Sequence, residues 1–233
     1  MCGRFTLRAP SDAIAALFDL PEEPMIADRY NIAPTQPVAV VRMNPGTGKR
    51  EWTHALWGLI PSWSKDPKMG ARLINARSET VREKPSFRAA FKRRRCLVPM
   101  DGFYEWKKVG KIKQPYHITL QPPEQSGESL FAIAGLWERW SSPDGSQLES
   151  CTLLTTEANE AMSSLHHRMP VIVEPEDYAM WLGSGADDDP YYLDQLQHLM
   201  RPYGRETLSI RPVSTYVNNA RNEGAECLAE VSE

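Results

Sequence analysis

No segment of this 233-residue chain holds the roughly 20 consecutive apolar residues that a membrane-spanning helix requires. Its first residues also lack the basic start and apolar core of a secretory leader. Cysteine is scarce and scattered. Cys2, Cys96, Cys151 and Cys227 include no C-x-x-C pair, which argues against a disulfide framework and against a structural zinc site. The five histidines supply one adjacent pair, His166-His167, with no further ligands at metal spacing nearby. These absences predict a cytoplasmic protein with neither metal nor cofactor. An excess of one charge is lacking too. The 27 basic and 30 acidic residues leave −3, so any binding of a polyanion must rest on a local patch. There are no internal repeats, low-complexity tracts or long linkers.

What the chain does have is turn formers. Nineteen prolines and 14 glycines, with 41% hydrophobic residues, predict one globular domain of many short strands. Phe5-Thr6-Leu7 reads as a strand, and Ser11 as the cap of a helix running to about Asp19. Residues 21–35 read as irregular. Val38–Met43 and Glu51–Leu59 form a hairpin around Asn44-Pro45-Gly46-Thr47-Gly48. Further strands are expected over Leu73–Arg77, within Cys96–Trp106, and at Tyr116–Leu120, Phe131–Glu138, Glu149–Thr155 and Pro170–Val173. Helices are expected over Ser86–Lys92, Pro175–Leu182 and Pro190–Arg201. The tail after about Asn218 is expected to be loosely held.

The residue with the most chemistry is Cys2. It is small, so Met1 should be removed, leaving a cysteine whose thiol sits beside a free α-amino group. Such amines titrate near ~7.7–8.0 and are partly nucleophilic at neutral pH, while thiols are intrinsically strong nucleophiles. Two nucleophiles on adjacent carbons can attack one electrophile in turn. An aldehyde would give an imine and then a five-membered thiazolidine; an amide would give an acyl-enzyme. Gly3 allows close approach, and Arg4 supplies a cation.

Three further clusters could serve that site. In Leu73–Thr80, Asn75 and Arg77 share one face of an extended strand, as a clamp for phosphate or sugar oxygens or as an exposed polar face. In Gly102-Phe103-Tyr104-Glu105-Trp106, Glu105 lies among aromatics. Apolar surroundings suit a carboxyl group to proton transfer near neutral pH, and Trp106 could stack on a base. The alternative is an aromatic core with Glu105 paired to a lysine. In His166-His167-Arg168-Met169-Pro170, an extended backbone puts His166 beside Arg168 and turns His167 away. The basic run Arg82–Arg95, interleaved with Phe87 and Phe91, fits single-stranded nucleic acid, although a solvated helix with inward phenylalanines fits it as well.

Six ordered blocks carry a resemblance: Met1–Phe5, Tyr30–Thr35, Trp57–Trp63, Asn75–Thr80, Gly102–Trp106 and His166–Pro170, with Pro212–Asn218 as a closing block. Together they resemble the SOS-response-associated peptidase (SRAP) family of abasic-site processing proteins. The resemblance implies an α+β fold, a single mixed domain over 1–233. Its short, mainly antiparallel strands would form a barrel-like sheet core with a few peripheral helices. It also implies a monomer that removes its own Met1 and then captures abasic sites in single-stranded DNA as a thiazolidine crosslink on Cys2, with AP-lyase activity as an associated reaction. Carried over by position, Asn75 orients the Cys2 amine or the sugar, Glu105 moves protons and His166 acts as acid/base. Arg4, Arg77 and Arg168 grip phosphates, while Pro34, Trp63 and Trp106 line the DNA path. The family pattern often has an acidic residue where His167 stands.

Two other classes compete. Cys-Gly also opens N-terminal-nucleophile glutamine amidotransferases, though these usually continue with an apolar residue and a further glycine rather than Arg4-Phe5. A non-catalytic single-stranded DNA binding module would make Cys2 incidental.

Overall fold

Short strands separated by tight turns dominate the computed structural model, which describes residues 2–120, 129–183, 189–204 and 208–231. The strands are β1 (Phe5–Leu7), β2 (Arg29–Ile32), β3 (Pro37–Met43), β4 (Arg50–Trp57), β5 (Asn75–Arg77), β6 (Arg95–Met100), β7 (Gly102–Val109), β8 (Ile112–Leu120), β9 (Phe131–Ser141), β10 (Gln147–Glu157), β11 (Arg168–Pro170), β12 (Ile172–Val173) and β13 (Leu208–Pro212). The α-helices are α1 (Ser11–Phe18), α2 (Arg88–Arg93), α3 (Glu160–Ser163), α4 (Tyr178–Leu182) and α5 (Pro190–Leu199). This is a single α+β domain, as expected.

Two sheets organise it. The larger one runs β10-β4-β3-β6-β9 and closes on itself, because β9 also pairs antiparallel with β10 over Gln147–Leu153. Closure removes the exposed edges that an open sheet would present. β9 and β10 are buried over most of their length, β9 through the apolar run Phe131–Trp137 and β10 with Ser150, Thr152, Thr155 and Thr156 buried among its apolar residues. Among the best-buried side chains are Trp57, Phe91, Leu97 and Trp181, and each such residue contributes about 1.5–3 kcal/mol of burial free energy. The second sheet has the order β13-β8-β7-β1-β2. Gly58 permits the turn out of β4. Its φ is +133°, and a Cβ there would sit 2.6 Å from the Gly70 carbonyl oxygen.

α1 buries Ile14 and Phe18, and the Phe18 ring stacks on Tyr178 with centroids 5.3 Å apart. Its N-cap is Pro10 rather than Ser11, which is the first helical residue and makes no capping bond. Residues 29–32, read as irregular, form β2 because Phe5 and Leu7 offer it a partner strand. The stretch between the strands expected at Tyr116–Leu120 and Phe131–Glu138 lies mostly outside the described residues. No helix among the described residues is long and apolar enough to cross a membrane.

The segment after Asn218 is packed, not loosely held. Buried Asn31 donates through Nδ2 to the carbonyls of Asn219 and Asn222 at 3.0 and 2.7 Å. Glu223 accepts from the Tyr30 backbone and pairs with Arg29, and Cys227 is buried with Tyr104, Val213 and Val217. Polar anchors from the second sheet replace the apolar pattern that the tail lacks.

Candidate functional site

β1 is only three residues long, yet it fixes the N-terminus. Phe5 pairs with Phe103, and Thr6 with Gly102. The Tyr104 N–H then donates to the Arg4 carbonyl at 2.9 Å, carrying the preceding residues past Glu105. On the other side Asn75, from β5 of the larger sheet, donates through Nδ2 to the Cys2 carbonyl at 2.9 Å. Cys2 is thus tied to both sheets at once, at the seam between them. A buried polar cluster braces β1 below. The Thr6 hydroxyl donates to Asp101 and lies 3.2 Å from Nε2 of His117, while Arg8 pairs with Asp101 at 2.7 Å.

Cys2 is 0% exposed. Burial, and secondarily the charge of Glu105, push its thiol up to about 12. Glu105, on β7, is 3% exposed and stands opposite Tyr116. His166 follows α3 and is half-buried. Its Nδ1 accepts the Arg168 backbone N–H at 2.9 Å. Burial lowers its pKa, with Glu105 acting in the opposite sense. The Glu105 charge acts on both the Cys2 thiol and the His166 ring, so these three groups share one electrostatic environment.

Gly3, Arg4, Glu105, Trp106 and His166 line an open cleft of about 590 Å³. Lys108, Lys113 and Asn218 complete its lining; none of them was nominated as a site residue from the sequence. Arg4 is half-buried, donating to Asn31 Oδ1 at 2.6 Å and to the Val217 carbonyl at 2.9 Å. Its guanidinium also lies 5.7 Å from the centre of the Trp106 ring.

The other nominated residues lie apart from this lining. Asn75 and Arg77 flank buried Ala76 on β5 and so share a face, with Arg77 exposed. Pro34 is half-buried in the turn before β3, and Trp63 is 57% exposed beside the Pro85 carbonyl. Arg168, expected to grip phosphate, is 7% exposed. Its guanidinium is bound bidentately by Glu79 and also donates to the Thr155 carbonyl at 2.6 Å. His167 does not turn away from His166; the two rings stack with centroids 4.3 Å apart. Phe87 and Phe91 of the basic run are buried in the core, Arg95 is buried against backbone carbonyls, and Arg94 pairs with Glu138. The two rings and these two arginines are therefore structural, while Lys84, Arg88 and Arg93 are exposed. No group of three or more residues suited to holding a metal ion occurs among the described residues.

With Cys2 held at the seam of the two sheets, the chain is a member of the SOS response associated peptidase (SRAP) family, whose model matches residues 1–220. It is similar to the abasic site processing protein YoqW of Bacillus subtilis (strain 168), with 41% identity over 232 residues, covering 98% of this chain and 99% of that one. It is also similar to the abasic site processing protein HMCES of Xenopus tropicalis, 38% identical over 193 residues, covering 75% of this chain and 56% of that one. A crystal structure of a Bacteroides thetaiotaomicron protein superposes with a TM-score of 0.81 at 22% identity, covering 99% of this chain and 100% of that one, and so shares the fold.

Proposed function

We propose that this protein captures abasic sites in single-stranded DNA by forming a covalent crosslink on Cys2 after removing its own Met1. The observation that carries the reading is the bond from Asn75 to the Cys2 carbonyl, which holds the nascent terminus in the environment of Glu105 and His166. Abasic-site processing in the named relatives supports the substrate.

The open form of an abasic sugar bears an aldehyde at C1′. The freed amine of Cys2 adds to that carbon, giving a carbinolamine. Protonation of its hydroxyl expels water and leaves an imine. The thiol then adds across the C=N bond, sulfur to carbon and proton to nitrogen, which closes a thiazolidine. One water is lost overall. Holding amine, thiol and aldehyde together supplies roughly 7–11 kcal/mol of the barrier. Glu105 carries the protons, and His166 serves as acid/base at the opened sugar. β-Elimination from the imine is the accompanying lyase route. Arg4 and Trp106 meet the DNA in the cleft, while Arg77, Trp63 and Pro34 extend its path.

The test is to incubate mature protein with an abasic single-stranded oligonucleotide. Expected are a denaturant-resistant band and an intact mass equal to protein plus DNA less one water, both absent for Cys2→Ala. A band that persists in Cys2→Ala overturns the reading. Ammonia release from glutamine would favour the amidotransferase alternative.

A further inference from the structure

Lys108 and Lys113 stand directly opposite each other across the β7–β8 ladder. Like charges in that relation repel and weaken a hairpin. Residues 107–113 contain Lys107, Lys108, Lys111 and Lys113 and no acidic residue. Neither Lys108 nor Lys113 has a carboxylate within ion-pair distance among the described residues. Among the described residues these two cations thus have no ion-pair partner, and both line the cleft that contains Glu105 and His166.

Their placement has a direction. Side chains two apart on a strand share a face, roughly 6.6–6.8 Å from each other. Trp106 and Lys108 therefore lie on one face of β7, and their partners across the ladder are Pro115 and Lys113. The Trp106 ring is fixed by its Nε1 bond to Asn218 at 2.6 Å, with the Arg4 guanidinium over it. Going outward from Cys2, the surface presents a cation, a braced aromatic ring and then two opposed cations. A tight turn at Gly110-Lys111, with Gly110 at φ +60°, ends the hairpin.

We propose that this face of the β7–β8 hairpin is a phosphate track. On it Lys108 and Lys113 bind the backbone of single-stranded DNA one step beyond a base stacked on Trp106. The inference rests on the reading of the cleft as a DNA site. Two adjacent bound phosphates, one at each lysine, relieve the repulsion between the two ammonium groups, so the hairpin gives up some stability in the free protein for affinity in the complex.

The test uses noncovalent binding, so that it separates from the crosslinking chemistry. In a Cys2→Ala background, affinity for an undamaged single-stranded oligonucleotide is measured against salt, with and without Lys108→Gln and Lys113→Gln together. The expected slope of log K against log salt is shallower by about 1.4 in the glutamine variant, 0.7 for each phosphate that a lysine no longer neutralises, while the Tm is unchanged or higher. Coincident slopes overturn the track, and so does a parent that binds no single-stranded DNA. If protein retaining Cys2 fails to crosslink while the slope still flattens, abasic-site capture falls and the track stands. If crosslinking occurs and the slopes coincide, only the track falls.

Discussion

The backbone N–H of Arg168 donates to Nδ1 of His166 at 2.9 Å. A nitrogen that accepts this bond carries no proton, which assigns the neutral ring's proton to Nε2. Arg168 is itself immobilised, because Glu79 holds its guanidinium at two points and the Thr155 carbonyl takes a further bond. Its contribution to the site therefore runs through its backbone amide. Protonating His166 would place a second hydrogen against that amide, a penalty added to the burial that already lowers its pKa.

His166→Ala is expected to slow crosslinking, or its reversal, on the order of 10²–10⁴-fold. In the wild type, protonation of the amine lowers the rate below about 7.7–8.0, and His166 should add a second fall only below the ordinary histidine range, since burial lowers its pKa. A profile of rate against pH for both proteins checks this. The amine limb is common to both proteins, so a second, lower fall that survives in His166→Ala would remove the histidine from the reaction.

The Cys2 thiol, raised to about 12 mainly by burial, is protonated at neutral pH, so the amine must attack first. Cys2→Ser keeps that amine once Met1 has gone. It should form an imine with abasic DNA that borohydride traps, but no lasting crosslink without reductant. Denaturing gels with and without borohydride make the comparison. Equal durability without reductant would rule out thiazolidine closure.

Glu105→Gln preserves shape and removes a proton carrier from a position 3% exposed. Crosslinking should slow by about 10²-fold or more, while the Kd for undamaged single strands stays within twofold. Parallel losses in rate and affinity would reassign Glu105 to structure.

Much of this arrangement is legible in the sequence where chemistry or alternation announces itself. Cys2 stands out by residue type, Glu105 and His166 are singled out only by the family resemblance, and the β3–β4 hairpin is marked by its turn around Asn44–Gly48. Pairings between distant segments are not legible. Glu79 as the partner of Arg168 required knowing that β5 and β11 both lie along β10. The opposition of Lys108 and Lys113 depends on hairpin register, which a stretch of lysines does not specify. The tail is anchored by Asn31, a polar residue whose acceptor carbonyls carry no side-chain signature. The Arg82–Arg95 run misleads for the converse reason. Its alternation of cations and rings reflects Phe87 and Phe91 reaching into the core.

Acid should loosen the brace beneath Cys2. His117 is buried against Gly102, where a Cβ would sit 2.2 Å from its Nε2. It packs beside Thr6 and the Tyr104 ring. Burial lowers its pKa from 6.5 to about 3, with Arg8 and Arg211 adding to the effect; Asp101, paired to Arg8, is the nearby anion. The folded protein therefore keeps His117 neutral while the unfolded chain protonates it near 6.5. Between those two values the unfolded state binds more protons, so stability falls as pH drops, by about 1.4 kcal/mol per unit and several kcal/mol in all. Above pH 6.5 this contribution is complete and flat. His117→Gln should lower stability at pH 7 but depend less on pH between 6.5 and 3, so the two curves converge on acidification. Urea unfolding across that range measures the difference. Because Thr6 lies on β1, the same loosening should free the strand that carries Cys2, and crosslinking should decline with it. Curves that stay parallel would show that His117 titrates freely and that the Thr6-Asp101-His117 cluster does not hold the N-terminal strand.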